Sequence, residues 1–356
     1  MKTGTASLPL HSGKAPAWLF GRMKKLARQI ILIMARDYGT DEILRRLSDP
    51  FWFQALGCAL GFDWHSSGLT TTTCGALKEA SKGIEHETGL YITGGKGKTS
   101  RKTPDEILDF GKSIDAAPQS LVYASKMSAK VDSAAVQDSY QLYHHVFFFT
   151  GTGDWAVVQQ GMNAHNRYAR RYHWLGSEMN DFVCDPHKTV CCDTKGSVLN
   201  LVAGEGSSNR TSSREIAAEH PDRILKEVQK IKNLDLPARH YILPDDLNPK
   251  KLHTVLIKTY EHQPKDYEAL MAIRGIGPKA LRSIALLSEL IYGAEPSFRD
   301  PVRYSYTHGG KDGIPYPVNR EAYDHSIDFL REVINSSKID ASDKKKAFQQ
   351  LSLFYH

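Results

Sequence analysis

The chain has 356 residues, of which 41% are hydrophobic and 24% charged, a globular composition long enough for roughly two domains of about 150 residues each. Its longest purely apolar stretches, at 30–35 and 146–149, fall far short of the roughly 20 residues that span a bilayer, and no signal-peptide pattern is read, so a cytoplasmic location without membrane contact is expected. Five cysteines without an even framework fit a reducing compartment, and a formal net charge of +6 suits a polyanionic partner.

Pro16 opens a predicted helix whose apolar positions Leu19, Met23, Leu26, Ile30 and Ile33 recur at helical spacing, with Lys24, Lys25 and Arg28 on the other side. Thr40 is placed to cap a second helix, which must stop near Pro50 because proline lacks an amide and restrains its neighbour. The apolar run Phe51, Trp52, Phe53, Leu56, Leu60, Phe62 reads as core and ends in a polar cluster with Asp63 and His65.

Residues 92–102 combine glycines with Lys96, Lys98, Arg101 and Lys102, a composition in which backbone amides approach an anion and lysines neutralise it. The spacing is not that of a P-loop, so ATP is not implied; Lys96 and Lys98 are expected to contact DNA phosphates. Thr103, Pro104 and Glu106 stand in capping-box register for a following helix.

A helical stretch is expected at 134–143, then strands at 143–149 and 155–160 joined through a glycine-rich turn as a β-hairpin. Arg167, Arg170 and Arg171 alternate with Tyr168, Tyr172 and Trp174, the mixture of cations and stacking surfaces expected where nucleic acid lies. Cys184, His187, Cys191 and Cys192 are zinc-ligand types, but without a second knuckle buried structural cysteines are the simpler account.

The polar Gly/Ser-rich segment 203–214 reads as a linker. The expected fold class is therefore α+β, with a mixed N-terminal catalytic domain at 1–203 that carries the β-hairpin and an all-helical DNA-binding domain at 212–356. Within the latter, 264–293 has the parts of a helix-hairpin-helix. One amphipathic helix ends at Arg274, Gly275 and Gly277 permit a tight turn, Ile276 plugs it, and Pro278 starts a second helix whose free amides and Lys279 face a phosphate. Such contacts position a protein on the DNA backbone without reading sequence.

Two chemistries are open. A metal-dependent nuclease would use Asp132, Asp138, His144 and His145 with Lys126 over the phosphate, and Asp132, Asp138 and His144 would hold Mg²⁺ or Mn²⁺. The hairpin is also similar to that of the base-excision glycosylases, which implies Lys279 and Asp300 as an alternative catalytic pair. A non-enzymatic accessory protein that binds DNA is the third reading.

Over nearly its full length the chain resembles the family of domain of unknown function 763. The resemblance is carried by Leu8-Pro-Leu-His11, Asp49-Pro-Phe-Trp-Phe-Gln54, Gly61-Phe-Asp-Trp-His-Ser-Ser-Gly68, Val136-Gln-Asp138 with Tyr143-His-His145, Trp155-Ala-Val-Val-Gln-Gln-Gly-Met162, Gly275-Ile-Gly-Pro-Lys279 and Asp300-Pro-Val-Arg-Tyr304. It implies a DNA-related role through the helix-hairpin-helix and supplies no catalytic residues.

Overall fold

The structure is a computed structural model that describes residues 15–62, 67–165, 168–192, 195–231, 249–303 and 320–352. Its first half begins with a helical layer: α1 (Ala17–Tyr38), α2 (Thr40–Ser48), α3 (Pro50–Ala59), α4 (Gly68–Ser81) and the single turn α5 (Glu85–Thr88). Gly39, at φ +85°, separates α1 from α2. Asp49 then caps α3, its carboxylate accepting from the Phe51 and Trp52 amides at 2.8 and 3.1 Å, so the Asp49-Pro50 pair stops one helix and starts the next. Thr40 does not cap α2; its hydroxyl donates to the Thr88 carbonyl at 2.6 Å and ties α2 to α5.

The sheet follows: β1 (Leu90–Lys96), α6 (Thr103–Asp109), α7 (Pro118–Lys130), β2 (Val136–Gln137), β3 (Gln141–Thr150), β4 (Trp155–Met162), β5 (Ala169–Leu175), β6 (Thr189–Cys191) and β7 (Leu199–Asn200). Five strands form an antiparallel sheet in the order β1-β3-β4-β5-β6, and β2 pairs with β7 separately. The helix expected at 134–143 is instead a π turn at Val131–Ala135 leading into β2 and then β3. Glu106 does not close a capping box; it accepts from Lys78 Nζ at 2.6 Å and from the Gly94 amide at 2.7 Å, fixing α6 against the end of β1.

Side chains alternate across a strand, and both faces of this sheet are covered. Val146, Phe148, Ala156, Val158 and Leu175 pack into one core with α1 to α4, while Phe147, Phe149, Val157, Tyr172 and Trp174 pack into the other with α7 and the later helices. Each of these aromatics is essentially buried, and full burial of one such side chain is worth about 1.5–3 kcal/mol. A charge at Phe148 would stand in the middle of the helical core and break the layer.

After β7 the elements of the described residues are helices: α8 (Ser207–Ala218), α9 (Pro221–Ile231), α10 (Pro249–His262), α11 (Tyr267–Ala272), α12 (Pro278–Tyr292), α13 (Arg320–Ser336) and α14 (Ala341–Ser352). The segment expected as a linker is largely α8. Asn209 is buried there and donates to the Ala285 and Ala294 carbonyls at 2.9 and 2.6 Å, and Arg210 donates to the Ala203 carbonyl. Nor do the last helices stay with 212–292: α13 and α14 return to pack on α3, and their Leu330, Val333, Ile334 and Leu351 join the core of the first helices. The arrangement is thus a central antiparallel sheet with helices on both faces.

Candidate nucleic-acid interface

The residues expected to cooperate in catalysis divide between the two faces of the sheet. His145 points into the α7 face. Its Nδ1 meets Gln159 Oε1 at 2.9 Å, which makes Nδ1 the donor and leaves Nε2 to accept from the Ser125 hydroxyl at 2.8 Å. Burial pushes the ring down to about 4, against the Gln159 hydrogen bond, so it is neutral at pH 7. Gln159 Nε2 donates in turn to Asp132 Oδ2 at 2.6 Å, which also accepts from Trp174 Nε1 at 3.0 Å, while Asp132 Oδ1 is bonded to His187 Nε2.

Asp138 lies in a neighbouring network. It accepts from Tyr172 at 2.6 Å and from Arg170 Nη1 at 2.9 Å, and Arg170 Nη2 reaches Asp300 at 2.9 Å. Burial works against the charge of the Arg170 guanidinium, but Asp138 and the other groups around it outweigh that cost and hold it well above its usual range. Asp300 also accepts from the Gly196 amide at 3.0 Å.

These contacts correct several expectations. Arg170 and Arg171 are 2% and 1% exposed and cannot lie along DNA; the first bridges two carboxylates, and the second is held by Gln54 Oε1 and the Pro50 carbonyl. His144 projects to the opposite face from Asp132, because it neighbours His145 on a strand, so the Asp132, Asp138, His144 metal set does not assemble. Among the described residues no group of three His, Cys, Asp or Glu side chains stands where it could hold a metal. His187 is taken by Asp132, and Cys192 sits 3.3 Å from the Tyr140 hydroxyl, as buried structural residues do. Asp300, the expected partner of Lys279 in catalysis, is held in an ion pair with Arg170. Lys126 is exposed on α7, one residue past Ser125. Asp63, His65 and Arg167 lie outside the described residues.

The turn between α11 and α12 is different in kind. Gly275 has φ +86°, the Ile276 amide closes back on the Ile273 carbonyl at 3.2 Å, and Ile276 is buried beneath while Arg274, Gly275, Pro278 and Lys279 are exposed. Gly277 caps α12 without a side chain, so no side-chain acceptor covers the first amides of this 15-residue helix. Gln137 fixes the helix start from below, donating to the Pro278 carbonyl at 2.8 Å and accepting from Arg282 at 2.7 Å. Cations converge on the turn. Lys258 of α10 comes so close that a Cβ on Gly275 would stand 2.8 Å from its Nζ. The amine of half-buried Lys130, at the end of α7, is held below its usual range by burial and by Lys258. Lys96 and Lys98 do not join this group: they are exposed where β1 runs into a 3-10 turn, with Lys96 aligned to His144 on the other face of the sheet.

The match of a family model to residues 4–318, most of the chain, settles descent. The chain belongs to the family described as protein of unknown function DUF763. No curated protein and no solved structure matches this DUF763 chain. In it, Lys258 and Arg282 are the cations around the turn that carry no signal in the sequence, because each is an ordinary helix lysine or arginine until packing brings α10 and β2 alongside α12. None of the DUF763 helices described is long and apolar enough to cross a membrane.

Proposed function

We propose that this protein binds the phosphate backbone of DNA through the Gly275–Lys279 turn, acting as a helix-hairpin-helix. The observation that carries the reading is the approach of Lys258 to Gly275, with Lys130 in its field and Lys279 exposed beside uncapped amides. Like charges in such proximity repel one another, and an anion at the turn relieves that repulsion while supplying the amides with an acceptor. Both effects favour a phosphate over a neutral ligand. The contacts fall on backbone oxygens, so binding is indifferent to base sequence and strongly salt-dependent. Lys96, aligned with His144 on the α1 to α4 face of the sheet, stands apart from this turn.

The test is a salt titration of binding to short duplexes of differing sequence. Lys279→Ala should weaken all of them alike and lower the slope of log K against log salt by about one. Equal affinity and slope in the variant would remove the turn from the binding surface.

A further inference from the structure

The α1 to α4 face of the sheet holds a second polar arrangement. Cross-strand register aligns Lys96 with His144, His144 with Gln160, and Gln160 with Arg171, so four polar residues from β1, β3, β4 and β5 stand in one row on one face. Neighbours in such a row have Cβ atoms about 4.5–5.5 Å apart. The row runs where β1 and β4 end and β3 and β5 begin. A bulge between Leu142 and His144 re-aims Tyr143 onto the same side, where its hydroxyl accepts from Gln160 Nε2 and its ring lies 5.7 Å from Lys96 Nζ.

The row has unused valences. Among the described residues neither ring nitrogen of His144 has a hydrogen-bond partner, nor has Oε1 of Gln160, although the two side chains are 1% and 0% exposed. Gln160 cannot be turned round to remedy this, because its Nε2 donates to the Ser67 carbonyl at 2.9 Å. A buried polar group left unpaired has given up its water without gaining a partner, which destabilises the fold. Packing alone would be served better by an apolar residue, as at Phe148 on the same face of the same strand. Exposure falls along the row from Lys96, which is open to solvent, through half-buried Tyr143 to buried His144, Gln160 and Arg171. Lys96 is the end of the row that meets solvent.

We propose that the row Lys96, His144 and Gln160, with Arg171 behind it, binds the phosphate-bearing end of a nucleotide. Lys96 at the solvent end and Arg171 at the back supply positive charge for the anionic oxygens. Gln160 Oε1 needs an O–H or N–H donor, which a phosphate monoester or a sugar hydroxyl brings. His144, held at about 3 chiefly by burial and so neutral at pH 7, can donate from one nitrogen and accept at the other. The Tyr143 ring offers a flat surface beside Lys96. This site is on the other face of the sheet from the Gly275–Lys279 turn and stands independently of it.

The experiment follows the ring of His144 by NMR in the full chain while dAMP, inorganic phosphate or unphosphorylated deoxyadenosine is added, with affinities from calorimetry. The expected result is saturable movement of the His144 signals by dAMP but not by deoxyadenosine. Binding should weaken about tenfold or more in Lys96→Ala, a surface change that leaves folding intact, and should be unchanged in Lys279→Ala. Loss in Lys279→Ala with none in Lys96→Ala would assign the phosphate to the other site and overturn the proposal. A 5′-phosphorylated oligonucleotide and its unphosphorylated twin separate the sources: comparable affinity for dAMP means a free nucleotide, and binding of the phosphorylated strand alone means a strand end. No response to any phosphorylated probe, or equal response to both oligonucleotides, refutes the site.

Discussion

Arg170 and Asp300, 130 positions apart in the chain, are joined at 2.9 Å in the interior, and the same guanidinium holds Asp138 at 2.9 Å. One cation thus fastens the segment after α12 to the strand ends of the sheet. Breaking such a pair from one side leaves uncompensated buried charge, which costs about 3–5 kcal/mol. Arg170→Met is therefore expected to lower the unfolding free energy from urea titration by that order, and with it the midpoint, and Asp138→Asn with Asp300→Asn in the Arg170→Met background should restore part of it. A midpoint unchanged in Arg170→Met would mean that the pair contributes no net stability.

Acid should destabilise the protein well above the range in which carboxylates titrate. An unfolded imidazole takes its proton near 6.5, whereas His145 does so near 4 and His144 near 3. Between those values the unfolded chain binds more protons than the folded one, so the stabilisation is complete above about pH 6.5 and falls as the pH drops toward the folded values. At pH 5 each ring accounts for a loss of about 2 kcal/mol. Urea titrations at pH 7, 6 and 5 measure this, and a flat profile would contradict the burial of both rings.

At Gly275 the backbone is in the left-handed region, and an added methyl would meet Lys258. Gly275→Ala should cost about 1–3 kcal/mol of local strain and displace the lysine. The readouts are the melting temperature and the affinity for duplex DNA, both of which should fall. Retention of both would show that the turn tolerates a side chain there.

Limited proteolysis bears on the segment 203–214. With Asn209 spanning α8 to the Ala285 and Ala294 carbonyls, cleavage within α8 is expected to be slow in the wild type. Asn209→Ala leaves both carbonyls without this donor, costs about 1–3 kcal/mol and should make α8 a preferred site. Rapid cleavage of the wild-type chain at Gly206 would instead favour two separable units.

Much of the local structure could be read from residue order. Asp49-Pro50 marks a helix stop and a helix start with chemistry confined to four residues, and the aromatic run Phe147 to Phe149 announces a strand. What order alone conceals is long-range pairing. Arg170 and Arg171 look like surface cations until Asp138, Asp300 and Gln54 are placed beside them. His144 and His145, adjacent and apparently one site, are sent to opposite faces by the pleat, and the bulge that turns Tyr143 toward Gln160 has no signature in the residues themselves. Asn209 sits in a stretch whose serines and glycine imitate a linker, because the carbonyls that make it a packed helix lie in α12 and just beyond.

The return of α13 and α14 onto α3 has a consequence for biosynthesis. Trp52, Phe53 and Leu56 belong to the core that Leu330, Ile334 and Leu351 complete, almost 300 residues later in translation. At about 5–20 residues per second, a ribosome needs on the order of 15–60 s to cover that distance. For that interval the nascent chain carries an open apolar face that neither the sheet nor the first helices can cover. A chaperone that shields apolar segments would find its client here, released only when the final two helices emerge.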